Sequence, residues 1–199
     1  SQLYAGIVLG VSETPQNTNE LYLGESESFF FPGQVEANPN VLPTQDFVDL
    51  FDTADWRKDV FLKEVTMGFN TLYAVNKYPR NTQLEVADSY NYYYGHKAKL
   101  FRIAETYLIA AEAAYKNSDE TNAKKYLNLL RVSRGLSAVT SSGSALFTDI
   151  QNERNRELAF EDFRLYDLNR WGLAVKRGTP QDVTAIRNTP ASDYNELNI

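Results

Sequence analysis

The sequence predicts a mostly α-helical protein with long loops and a few short strands. Three observations carry that prediction. Leu100, Ile103, Ala104, Tyr107, Leu108, Ala111, Ala114 and Tyr115 recur at three- and four-residue spacing, the apolar stripe of one amphipathic helix. A second stripe, Ala123, Tyr126, Leu127 and Leu130, follows after the polar break Asn117-Ser118-Asp119. By contrast, residues 1–45 show no helical period and contain Pro15, Pro32, Pro39 and Pro43, with Asn at 17, 19, 38 and 40.

In chain order, short strands are expected at Tyr4–Val11 and Glu20–Leu23. Thr44 is suited to cap a short helix whose Phe47, Leu50 and Phe51 share a face. Further short strands are expected near Val60–Val65 and Thr71–Asn76. The two stripes predict an antiparallel, tetratricopeptide-like helical hairpin over about 100–134, with Ser118 or Asp119 capping its second helix. Arg131 and Arg134 fall in the last turn, where the helix dipole favours cations. Gly135 stands where a left-handed helix cap belongs. A Ser/Gly loop at 137–145 leads to a third, charge-rich helix at about 145–162 whose apolar residues are Phe147, Ile150, Leu158 and Phe163. One such hairpin cannot bury its own faces and needs neighbours. The division expected is a single region, with 1–99 loop-rich and variable, 100–172 a helical scaffold and 173–199 a tail.

Composition excludes several functions. Lys and Arg number 20 against 26 Asp and Glu, a net charge of −6, so the basic footprint of a nucleic-acid or anionic-membrane binder is missing. With no Cys, disulfides, thiolate catalysis and cysteine zinc sites are excluded. The one His, His96, has no second His to help it hold a metal and reads as surface or structural. No phosphate-binding glycine loop, dinucleotide fingerprint or nucleophile elbow is present, and no cofactor is implied. The longest apolar run, Leu3–Val11, is far short of the roughly 20 residues of a spanning helix. The chain opens Ser-Gln, without the basic start of a signal peptide.

Two charged sets invite a chemical reading. Glu153, Arg154, Arg156, Glu157, Glu161, Asp162, Arg164, Asp167 and Arg170 contain the carboxylates an acid/base pair needs. Three-residue spacing pairs Glu153 with Arg156, Arg154 with Glu157 and Arg164 with Asp167. An Arg partner lowers a carboxyl pKa, whereas a general acid needs it raised. The set is therefore expected to be an ion-pair lattice tying this helix to the hairpin. Asp46, Asp49, Asp52, Asp55 and Asp59 are expected to form a solvated acidic face, a calcium site being the alternative.

The aromatic excess, 13 Tyr, 11 Phe and 2 Trp, is the feature that suggests binding. Phe29, Phe30 and Phe31 are consecutive, and Tyr90, Tyr92, Tyr93 and Tyr94 crowd five positions beside Asn91 and Gly95. Consecutive rings cannot all face one core, and an exposed Tyr suits a wet, partly apolar ligand such as a sugar ring. Trp171 reads as packing and Trp56 is open to either role.

At the charged helix the sequence becomes recognisable. The run Ile150, Glu153-Arg154, Arg156-Glu157-Leu158-Ala159-Phe160-Glu161, Arg164, Asp167-Leu168 and Arg170-Trp171-Gly172 resembles the hallmark stretch of the SusD/RagB family. Phe101 to Ala113 and Leu127 to Leu136 are similar to two further family helices, in the right order. Asn38-Pro39-Asn40, Asp55-Trp56-Arg57 and Lys77-Tyr78 match weaker signposts. Asp162 departs from the pattern, standing where the family usually has Gly, and so does Ser133 before Arg134.

The resemblance implies a middle-to-C-terminal portion of a SusD-like outer-membrane, surface-exposed lipoprotein of Bacteroidetes. Such a protein is non-catalytic, captures glycans for nutrient uptake and works with a TonB-dependent SusC-like transporter. Its membrane contact would be only a lipid anchor, which this chain lacks. The matching motifs are scaffold, so the family's ligand contacts cannot be carried over. On local chemistry alone, the candidate ligand residues are Tyr90, Tyr92, Tyr93 and Tyr94, with Trp56 added. The alternative is a helical-repeat protein-interaction scaffold that binds no sugar.

Overall fold

The computed structural model describes residues 43–67, 70–77, 101–176, 178, 179 and 181. The strands expected at Tyr4–Val11 and Glu20–Leu23, the Phe29–Phe31 cluster, His96 and the Tyr90–Tyr94 cluster lie outside the described residues. Six helices and one two-stranded hairpin are seen among the described residues: α1 (Gln45–Val48), α2 (Arg57–Phe61), β1 (Leu62–Met67), β2 (Asn70–Val75), α3 (Ile103–Lys116), α4 (Glu120–Val132), α5 (Gly143–Glu157) and α6 (Phe163–Arg170). The described residues fall into two compact units: 50–58 with 101–164, and the other described residues.

The first of these is helical. Its core is Ala104, Leu108 and Ala111 from α3, Ala123, Leu127 and Leu130 from α4, Leu146 and Ile150 from α5, and Leu158. These are the predicted stripes, so α3 and α4 pack as the expected hairpin with α5 against both. Within the α3 stripe, Ile103 is exposed and Tyr107 half-buried, while Ala114 and Tyr115 are half-buried and packed against the core. Asp119 rather than Ser118 caps α4, its Oδ1 accepting from Asn122 N at 3.0 Å. Ser118 instead takes φ +58° and reverses the chain between the helices. Gly135 takes φ +86°, the left-handed cap conformation. The Asn128 side chain accepts from Val139 N at 2.7 Å and donates to Val139 O at 3.2 Å, fastening the Ser/Gly loop to α4. At the edge of the core, the Tyr115 and Phe147 rings stack at 4.9 Å.

The third helix is the main departure from expectation. It begins at Gly143, two residues early, and ends at Glu157 instead of about 162. Phe160 and Asp162 both take left-handed backbone, φ +62° and +63°, so no helix can pass through them. The chain restarts as α6. Asp is one of the few non-glycine residues that enters this region readily, which explains how it stands at a glycine position of the family pattern.

In the other unit, Thr44 caps α1 as expected, its Oγ1 accepting from Phe47 N at 3.2 Å. The predicted face shifts, however: Val48 is buried and Phe47 half-buried, and of the two members that belong to the helical unit Phe51 is buried and Leu50 half-buried. The strands pair antiparallel with Leu62 opposite Val75 and Met67 opposite Asn70. Val60, expected in the first strand, lies in α2. The amide of buried Gln181 fills a gap in backbone pairing: Oε1 accepts from Tyr73 N at 2.7 Å, and Nε2 donates to Tyr73 O and Pro43 O, each at 2.8 Å. No helix among the described residues is long and apolar enough to cross a membrane.

Candidate functional site

The charged residues of α5 converge on one buried cluster within the helical unit. Glu153, Arg156 and Glu157 lie on a single face because they are three and four residues apart. The last turn of α4 presents Arg131 to that face and Arg134 follows two residues past the helix end, outside the turn where it was expected; Arg102 stands just before α3 and Arg57 opens α2. Glu153 and Glu157 are fully buried, and Asp55 and Arg57 nearly so.

Every oxygen of the two central carboxylates is engaged. Glu157 Oε1 accepts from Arg102 Nη1 and Arg134 Nη2, both at 3.0 Å. Its Oε2 accepts from Arg57 Nη1 at 2.9 Å and Arg134 Nε at 3.0 Å. Glu153 Oε1 accepts from Arg57 Nη1 at 2.7 Å, and its Oε2 from Arg156 Nη2 at 2.6 Å and Arg131 Nη1 at 3.2 Å. Arg57 also grips Asp55 in a two-pronged fork, Nε to Oδ1 at 2.8 Å and Nη2 to Oδ2 at 2.7 Å. Arg102 makes a similar fork on Glu161, at 3.0 and 2.6 Å. Arg156 Nη1 donates to Leu50 O at 3.1 Å, so the lattice also fastens the loop before α2.

Electrostatics follows from this geometry. Burial disfavours the Glu157 anion, but the Arg134 hydrogen bonds and the charges of Arg134, Arg57 and Arg102 outweigh it and hold the carboxyl at about 2. Burial likewise works against the Arg57 cation, and Asp55 and Glu153 more than offset it, raising its pKa. The same balance, with Glu161 and Glu157 as partners, raises Arg102. A carboxylate fixed as an anion with both oxygens saturated has no proton to give and no lone pair to offer. The cluster is an ion-pair lattice: the expected Glu153–Arg156 pair lies in it, Glu157 takes Arg57, Arg102 and Arg134 as partners, and Asp167 pairs with Arg170.

Among the acidic set, Asp55 corrects the solvated-face expectation, being 2% exposed and locked to Arg57. Asp46, Asp49, Asp52 and Asp59 are exposed. No group of three or more metal-ligating side chains is assembled among the described residues.

Of the predicted ligand residues, Tyr90, Tyr92, Tyr93 and Tyr94 lie outside the described residues. Trp56 is described and is 67% exposed. Trp171, read as packing, is half-buried, with the Arg170 guanidinium 4.5 Å above its ring.

Sequence and structure comparisons agree. The SusD family matches residues 62–197. SusD-like protein P25 of Formosa agariphila is 29% identical over 138 residues, which are 66% of this chain and 26% of that protein. A crystal structure of a SusD-like carbohydrate binding protein from Bacteroides vulgatus superposes with TM-score 0.59 at 26% identity, covering 84% of this chain and 34% of that one. Another from the same organism, described as a sugar binding protein, gives TM-score 0.53 at 31% identity over 70% of this chain and 29% of that one. The chain thus spans about a quarter of the curated relative and about a third of the solved structures.

Proposed function

The chain belongs to the SusD family, and from that premise we propose that it is part of a non-catalytic glycan-binding protein. It would act at the cell surface, on the outer membrane, delivering oligosaccharides to a TonB-dependent SusC-like transporter for nutrient uptake. The observation that carries the non-catalytic reading is the saturation of Glu157 by four arginine hydrogen bonds, with its carboxyl held at about 2. A carboxylate in that state supports a framework and not acid/base turnover. The carbohydrate reading draws on solved relatives described as carbohydrate and sugar binding proteins, and on the aromatic excess. Tyr90, Tyr92, Tyr93 and Tyr94 are the proposed ligand contacts in the loop before α3, where no more than two should touch sugar at once.

The exposed apolar residues Ile103 and Ile109 on α3, with Leu129 and Val132 on α4, favour a second reading, a helical scaffold that packs on protein. Affinity electrophoresis through gels containing starch, xylan, mannan, laminarin or pectin separates the two. The glycan reading expects retardation in at least one gel, reduced by Tyr→Ala changes at 90, 92, 93 or 94. Unretarded migration in all gels favours the scaffold. Release of reducing ends that stops in Glu157→Gln or Glu161→Gln would overturn the non-catalytic reading.

A further inference from the structure

Trp56 is a large apolar side chain with no place in either the hydrophobic core or the ion lattice, and it is 67% exposed between two neighbours, Asp55 and Arg57, that are 2% and 3% exposed. Its position is fixed from several directions. Trp56 N donates to Arg134 O at 3.0 Å, Ala54 N to Asp52 Oδ1 at 2.8 Å and Lys58 N to Asp55 O at 3.0 Å. The Arg57 fork on Asp55 then clamps the residues on either side.

The indole itself rests on Gly135. A Cβ at that position would lie 2.7 Å from Trp56 Nε1 and 2.9 Å from Cδ1, closer than any real contact. The pyrrole edge therefore sits against bare backbone, and the rest of the ring stands in solvent. A helix-capping glycine is required here by φ +86°, and the absence of its side chain also makes room for the ring.

A solvent-facing indole on a held backbone has a definite chemical use. Its face offers apolar area on a backbone already held by hydrogen bonds, which lowers the ordering cost of binding. The flat CH face of a pyranose matches it, while the sugar hydroxyls point outward to polar groups. Such groups are at hand: the Arg134 guanidinium is 30% exposed and aimed by its two bonds to Glu157, and Asp52 and Thr53 are exposed in the turn that leads into Trp56. We propose that Trp56 is a stacking platform for one pyranose unit of a glycan, an assignment that rests on the glycan-binding reading above.

The experiment uses the whole chain carrying Trp171→Phe, which leaves Trp56 as the sole tryptophan. The probes are maltohexaose, cellohexaose, xylohexaose, mannohexaose and laminarihexaose. At least one should shift Trp56 emission and protect it from acrylamide quenching. Trp56→Ala should weaken that sugar about tenfold, and Trp56→Phe, which keeps an aromatic face, no more than about threefold. Binding without any change in Trp56 emission, and with parental affinity in Trp56→Phe and Trp56→Ala, overturns the platform and leaves the glycan reading standing. Failure of every hexaose to bind overturns both. Should Trp56→Ala not fold, the emission response and Trp56→Phe decide the matter.

Discussion

Glu157→Gln is the perturbation whose effect follows most fully from the structure. The carboxylate receives four hydrogen bonds from Arg57, Arg102 and Arg134 and its side chain is 1% exposed. An amide oxygen cannot accept all four, and the amide nitrogen must face a guanidinium. Breaking a buried pair in this way costs about 3–5 kcal/mol. Linkage gives an independent figure. The ordinary glutamate value is 4.5 and the folded value about 2, and at 1.36 kcal/mol per pH unit that difference is worth about 3 kcal/mol.

The sign is fixed because the folded pKa is the lower one. The contribution is complete above pH 4.5, falls as pH drops from about 4.5 towards about 2, and is gone below that. Urea unfolding of parent and variant should therefore differ by about 3 kcal/mol at pH 7 and by roughly half that at pH 3. A difference below about 1 kcal/mol at pH 7, or one equally large at both pH values, would refute the lattice energetics.

Other outcomes follow from single positions. Leu108→Ala and Leu127→Ala, both fully buried, should each cost about 2–5 kcal/mol in chemical denaturation; a loss below about 0.5 kcal/mol would mean the hairpin buries another face. Gly135→Ala must enter φ +86° and meets Ala54 O, so its melting temperature should fall by several degrees, about 2 kcal/mol or more. At Asp162, φ +63° should tolerate Gly within about 1 kcal/mol, whereas the β-branched Val should cost about 1–2 kcal/mol more. Equal stability of the two variants would argue against the left-handed break between α5 and α6.

The hairpin was legible because its signal is local. Stripes at three- and four-residue spacing, a polar break and a glycine cap lie within about 35 residues, and each maps onto burial or backbone angle. The Glu153–Arg156 pair was legible for the same reason. Arg57 and Arg102 were not: their partners stand 96 and 100, and 55 and 59, positions away. Only the fold brings them together, and a three-residue rhythm of aspartates disguised Asp55 as surface. The end of α5 was hidden because Leu158-Ala159-Phe160 continues the helical pattern and nothing in those residue types announces a left-handed turn. The glycine of the family pattern, replaced here by Asp162, was the one available hint. Exposure of Trp56 could not be read from sequence, since it depends on Gly135 lying beneath the ring.

Glycan binding without turnover is the central claim, and it is tested by one calorimetric titration of the chain with the five hexaoses, followed by chromatography of the recovered sugar. The account predicts a saturable heat with at least one hexaose, little affected by salt, and every hexaose recovered at its original length. Absence of heat with all five, or recovery of shortened sugars, would contradict it.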